Sequence, residues 1–122
     1  MRKIWLDRTM ISLPVYLGLC KAESSFKSIL RRFQIREKIP WIPDDADAST
    51  HAFEKSGITM CVVCIRSKKK TFDVWNLLGH EAVHVYQSAK PLLPSGLLND
   101  ELEAILIQEI CLKLWTAFKD NS

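Results

Sequence analysis

The pentapeptide His80-Glu81-Ala82-Val83-His84 carries two imidazoles and one carboxylate at a spacing that can do chemistry. Residues four apart on an α-helix lie one above the other, so His80 and His84 can bind one metal ion. The carboxylate of Glu81 then lies beside that ion, where it can act as a general base on a water molecule. The pattern therefore predicts a hydrolytic metal site with two histidine ligands and Glu81 as the catalytic residue.

The residues around this pentapeptide predict the helix that the chemistry needs, over residues 72–89, with Pro91 ending it. At about 100° per residue, the apolar side chains gather on one side and both histidines lie nearly opposite. A histidine pair turned away from the apolar side fits a metal site better than it fits structural packing. The apolar side consists of Val74, Trp75, Leu78, Ala82, Val85 and Tyr86.

A catalytic zinc ion needs three protein ligands and one open position, so a third ligand is expected. Two acids, Glu101 and Glu103, lie in a last predicted helix over residues 99–118. Glu103 projects within roughly 60° of the apolar residues, where a metal ion would remove the desolvation cost of an unpaired carboxylate. Glu101 projects about 160° away and needs only the helix dipole to explain it. The sequence therefore predicts Zn²⁺ as the cofactor and Glu103 as the third ligand.

Amide hydrolysis also needs a donor that stabilises the developing oxyanion. His51, near the start of a predicted hairpin, and Tyr86, on the motif helix, are the candidates for substrate or oxyanion contact. Tyr86 projects toward the apolar side of its helix. Strand alternation does not determine which way His51 points, so a surface histidine stays the alternative.

The elements that must position these residues predict an α+β fold. Residues 3–8 form a short strand, and residues 15–34 form one helix broken near residues 24–25 or two short helices. Prolines make residues 39–47 an extended loop. Residues 50–55 and 58–65 form a β-hairpin around Ser56-Gly57, and Asn99 caps the last helix. We expect a short antiparallel sheet with this hairpin packed on the motif helix and the glutamate helix.

Length and composition predict a single domain over residues 1–122, nearly half of it hydrophobic. The apolar runs are far below the roughly 18 residues that cross a bilayer, so we expect no membrane segment. Asp7 and Arg8 interrupt any signal peptide, which predicts a cytoplasmic protein. The four cysteines are predicted to be reduced, and Cys61 and Cys64 to point to opposite faces of a strand.

The net charge of +3 is mild, and two basic clusters account for much of the positive charge. Short charge runs usually mark solvated loops and helix ends, and no nucleic-acid-binding motif accompanies these. Nucleic acid is therefore not the expected partner. The first cluster contains Arg31, Arg32, Arg36 and Lys38, and the second contains Arg66, Lys68, Lys69 and Lys70.

The HExxH pentapeptide, followed nineteen residues after His84 by Glu103-Ala104, resembles the gluzincin class of zinc metallopeptidases. The order of hairpin, motif helix and glutamate helix resembles the minimal minigluzincin domains. The run of residues 78–87, together with residues 101–108, is similar to uncharacterised small phage and prophage proteins. The resemblance covers about residues 50–115. It implies a small zincin-like domain with His80, His84 and Glu103 on zinc and Glu81 as general base.

The resemblance implies a zinc-dependent metallopeptidase or amide hydrolase that acts on a peptide or protein, in the cytoplasm of a bacterial host if phage-encoded. The chain has no second lobe of the kind that walls the substrate cleft in larger gluzincins. The alternative is a non-catalytic zinc-binding phage or prophage accessory protein that binds a protein partner or nucleic acid.

Overall fold

The computed structural model describes the strand Ile4–Asp7 and residues 15–66, 71–93, 96 and 99–120. It confirms the α+β class. Residues 68–70 of the second basic cluster lie outside the described residues. The elements are β1 (Ile4–Asp7), β2 (Tyr16–Cys20), α1 (Glu23–Arg32), β3 (Ala48–Lys55), β4 (Ile58–Ile65), α2 (Thr71–Ala89), a 3₁₀ turn (Lys90–Leu92) and α3 (Asp100–Asp120).

The sheet is mixed, with the strand order β1-β2-β4-β3. The pairs β1–β2 and β3–β4 are antiparallel, whereas β2 and β4 are parallel. The expectation of a purely antiparallel sheet was therefore wrong for its central pair. Parallel strands need a long crossover, and α1 lies in the segment that connects β2 to the hairpin. This topology leaves β3 at one edge.

Residues 16–20 form strand β2, not the helix expected from their apolar spacing. Leu17 and Leu19 pack in one apolar cluster of the core, and Cys20 packs in the other. A strand covered on both faces shows no apolar and polar alternation, so periodicity alone does not distinguish it from a buried helix. The helix begins only at Glu23.

The predicted hairpin is confirmed, with a turn at Ser56 and Gly57, whose φ angles are 54° and 78°. The register pairs Thr50 with Val63 on the neighbouring strand. Successive residues of a strand point to opposite faces, so Thr50 and His51 face different sides of the sheet.

The core has two apolar clusters, one on each face of the sheet. The first joins the sheet to α2 and α3, and the second joins it to α1. Cys61 lies in the first cluster and Cys64 in the second, which confirms that the two thiols point apart. Burial raises the pKa of Cys61 to about 11, so this thiol stays protonated at neutral pH.

Contacts at both ends hold α3 in place. At its start, the side-chain oxygen of Asn99 accepts a hydrogen bond from the backbone N–H of Leu102 at 2.9 Å, as expected of a cap. At its end, the carbonyl oxygen of Phe118 accepts a hydrogen bond from Nζ of Lys21, the residue that follows β2, at 3.0 Å. Among the described residues, no helix is both long and apolar enough to cross a bilayer.

Candidate metal centre

The two histidines of the motif lie one turn apart on the exposed side of α2. Their Nε2 atoms face each other at 3.2 Å, with ring centroids 4.9 Å apart. Two nitrogens bound to one tetrahedral zinc ion at its usual bond lengths lie about 3.3 Å apart. The pair His80 and His84 therefore fits two positions around such an ion.

Gln87 contacts the other ring nitrogen of His84, with its side-chain oxygen 3.2 Å from Nδ1. An amide oxygen only accepts hydrogen bonds, so this contact suits the tautomer with the proton on Nδ1, which leaves the lone pair of Nε2 for a metal ion. Metal-binding histidines usually have an outer partner of this kind. The sequence analysis missed Gln87, although its position three residues after His84 on a helix was a usable signal.

Glu81 turns from the histidine side toward the sheet and is only 4% exposed. The hydroxyl of Thr50 on β3 donates a hydrogen bond to Oε1 of Glu81 at 2.7 Å. A buried carboxylate without donors is costly, and this hydroxyl supplies one. Thr50 was also missed, although period-two alternation places it on one strand face with Ala48 and Ala52.

An open cleft of about 430 Å³ lies between α2 and the edge strand β3. It brings together both histidines and Glu81, so the pentapeptide faces a space in which a substrate could lie. The other side chains that line the cleft are uncharged, and all except Gln87 are short, which leaves room beside the histidines and Glu81. The residues around it are Ala48, Ser49, Thr50, Ala52, His80, Glu81, His84, Gln87 and Ser88.

Glu103 lies on a different side of α2, against Tyr86 and Lys90. Its Oε2 accepts a hydrogen bond from the Tyr86 hydroxyl at 2.5 Å and lies 3.0 Å from Nζ of Lys90. The hydrogen bond from Tyr86, followed by that from Lys90, holds the pKa of Glu103 below its usual range, so the carboxylate is ionised at neutral pH. Burial, together with the bond to Glu103, raises the pKa of Tyr86 to about 12.

The structure does not bring Glu103 to the histidine pair. Across the described ranges, no three side chains of histidine, cysteine, aspartate or glutamate form a group that could hold a metal ion. The predicted His80, His84 and Glu103 ligand set therefore stays a prediction, and its two histidines lie side by side.

The two candidate oxyanion residues lie away from the cleft. Nε2 of His51 donates to the carbonyl oxygen of Trp41 at 2.9 Å, and its ring packs 4.7 Å from that of Phe26, between centroids. This is the α1 side of the sheet, opposite to Thr50. Tyr86 is buried, with its hydroxyl on Glu103. In this structure, neither His51 nor Tyr86 contacts the space beside Glu81.

No protein-family model, no curated protein and no solved structure matches this chain. Its function is therefore inferred from its own residues. Two facing imidazole nitrogens suit zinc, because nitrogen is among its preferred ligand atoms. The donor chemistry of the pair fits zinc, whereas the third protein ligand is not assembled.

Proposed function

We propose that this protein is a zinc-dependent metallopeptidase or amide hydrolase of gluzincin type, with His80, His84 and Glu103 as zinc ligands. Glu81 is its general base. The observation that carries the proposal is that two facing Nε2 atoms and a buried carboxylate line one open cleft. As the resemblance implies, its place is the cytoplasm, that of a bacterial host if the protein is phage-encoded.

The chain's own groups do the proton transfer. Glu81 takes a proton from the attacking water and later passes it to the leaving nitrogen of the amide. When bound, zinc lowers the pKa of a coordinated water to about 7 and polarises the scissile carbonyl. Thr50 holds Oε1 of Glu81, so Oε2 is the atom that accepts the water proton.

The proposed substrate is a peptide in extended form. β3 pairs with β4 on one side only and forms an edge of the described sheet. An extended peptide can add to such an edge through backbone hydrogen bonds. Ala48, Thr50 and Ala52 of β3 line the cleft, so a peptide that follows this edge would pass His80 and His84.

The proposed third ligand, Glu103, would have to move before it could bind zinc. Glu103 accepts a hydrogen bond from Tyr86 and pairs with Lys90, and it does not join the histidines. The proposal therefore requires Glu103 to leave these partners when zinc binds. This requirement also favours the alternative, a non-catalytic zinc-binding protein, in which a partner protein completes the histidine pair.

Metal analysis and peptide cleavage test the proposal together. We expect about one zinc ion per chain, lost in His80→Ala and Glu103→Ala and kept in Glu81→Gln. Cleavage of a library of quenched fluorescent peptides should fall at least about 100-fold in Glu81→Gln, because a positioned base contributes about 10²–10⁴-fold. Glu101→Gln is the matched control, since it changes an exposed acid of the same helix as Glu103.

The outcomes separate the candidates. Zinc binding without cleavage of any peptide supports the non-catalytic protein. Zinc retention in Glu103→Ala removes Glu103 from the ligand set. A protein that binds no zinc overturns both candidates.

A further inference from the structure

The carboxylate of Glu81 depends on the edge strand for its hydrogen bond. Among the described residues, Thr50 is the one that donates a hydrogen bond to this carboxylate, at 2.7 Å. Because Glu81 is 4% exposed, bulk water has little access to replace that donor. Loss of the donor would leave a buried carboxylate oxygen without its hydrogen-bond partner.

The direction of the Thr50 hydroxyl is set by the backbone. Threonine is branched at Cβ, so few χ1 rotamers are open to it, and the backbone conformation of a strand restricts them further. Its strand is aligned by the pairing of Thr50 with Val63 of β4. Val63 is fully buried in the core, so the hydroxyl is supported by one of the least exposed parts of the fold.

We propose that Thr50 is a positioning residue for the general base Glu81, an inference that rests on the proposed function. Its hydroxyl holds Oε1, which restrains the rotation of the carboxylate and directs Oε2 to the water. Thr50 does not touch the reacting atoms in this role. It also ties the base to β3, the strand edge along which an extended substrate would lie.

A positioning role differs from a purely structural one in what it changes. A structural hydrogen bond affects stability and, if the fold is disturbed, zinc content and substrate binding. A positioning bond affects the chemical step, because a small misplacement of a catalytic group can lower the rate about 100-fold. The number of turnovers per second should therefore change while the Michaelis constant does not.

The test compares three variants of the zinc-loaded protein on a peptide selected from the quenched fluorescent library. Thr50→Val removes the hydroxyl at nearly constant volume, whereas Thr50→Ser keeps it. Thr59→Val makes the same change at β4 beside the hairpin turn, away from the cleft. We expect Thr50→Val to lower kcat about 10- to 100-fold with KM changed less than about 2-fold. We expect Thr50→Ser to stay within about 3-fold of wild type and Thr59→Val to match wild type.

Equal kcat in wild type and Thr50→Val would overturn the inference while the proposed function stands. A kcat of Thr50→Ser that is as low as that of Thr50→Val would also overturn it.

Crystal structures of the wild type and Thr50→Val supply a readout that needs no activity. We expect the Glu81 carboxylate to leave its place beside β3 in the variant, and an unchanged carboxylate would overturn the inference. If wild type cuts no peptide, the proposed function fails and these structures still decide whether Thr50 positions Glu81.

Discussion

Two polar clusters lie on different sides of the same helix, α2, and differ in how their charges are satisfied. The cluster of His80, His84 and Glu81 lines an open cleft, with two ring nitrogens facing each other. In the other, Glu103 is held by a tyrosine hydroxyl and a lysine, and its charge is compensated. The first cluster borders open space, whereas the carboxylate of the second already has a hydrogen-bond donor and a cation beside it.

The packing of α2 explains this separation. Tyr86 projects about 140° around the helix from the middle of the histidine pair. The Tyr86 side meets α3, which covers it, while among the described residues the histidine side borders the edge strand β3. A space beside the histidines exists because the covering helix packs elsewhere.

The largest expected effect is on metal binding at the cluster of His80, His84 and Glu81. His80→Ala should weaken zinc binding by more than about 100-fold, since loss of an outer partner alone typically costs 10- to 100-fold. Isothermal titration with zinc measures this. His51→Ala is the control, because His51 lies on the other face of the sheet and should leave zinc affinity unchanged. Equal losses in both variants would mean that the facing nitrogens are not the site.

A smaller effect is expected at the outer partner of His84. Gln87→Ala removes the acceptor on Nδ1, so we expect zinc affinity to fall about 10- to 100-fold. Gln87 is exposed, and the melting temperature of the metal-free protein should stay within about 2 °C of wild type. Asn76→Ala, another exposed position of α2, serves as the control. An unchanged affinity in Gln87→Ala would show that this contact does not orient the ring.

A substitution in the cluster of Glu103, Tyr86 and Lys90 should change the stability of the fold instead of zinc binding. Tyr86→Phe removes the hydroxyl bound to Glu103, so we expect the melting temperature of the metal-free protein to fall by about 3–8 °C. Zinc affinity should not weaken, because the proposed function requires Glu103 to leave Tyr86. Thermal unfolding followed by circular dichroism, with a zinc titration of the same sample, measures both. Weaker zinc binding in this variant would show that the two clusters act together.

The smallest effect appears only at high pH. Burial and the Glu103 carboxylate raise the pKa of Tyr86 to about 12, above the usual value of about 10. A raised pKa in the folded state gives a contribution to stability that is complete below pH 10 and lost as pH rises through 12. We expect the urea midpoints of wild type and Tyr86→Phe to converge over this range. Midpoints that remain equally far apart from pH 8 to pH 12 would contradict the bond to Glu103.

Patterns within a single element were predictable from the sequence. The side of α3 predicted to be buried contains Leu106, Ile110 and Leu114, all of which lie in the core. The histidines were expected to lie away from the apolar side of α2, and both are exposed. Helical periodicity gives the angular position of each residue around its own axis, and it was correct for these residues. It was wrong for Trp75, which was expected on the apolar side of α2 and is 40% exposed.

Relations between elements were not predictable in the same way. The angular position of Glu103 on α3 does not reveal which side of α2 it meets, and it meets Tyr86. The strand Tyr16–Cys20 was taken for a helix because both of its faces are covered. Whether His51 or Thr50 faces the motif helix depends on the hairpin register, which alternation alone does not give.

The two-residue turn at Ser56 and Gly57 decides which side chain of β3 reaches the general base. Both residues have positive φ angles, as a tight hairpin turn of this twist requires. One residue added here, with the two-residue turn kept, would shift the pairing of β3 by one position and reverse its faces. The imidazole of His51 would then replace the hydroxyl of Thr50 beside Glu81. A turn far from the cleft in space thus determines whether that carboxylate meets an alcohol or a third histidine.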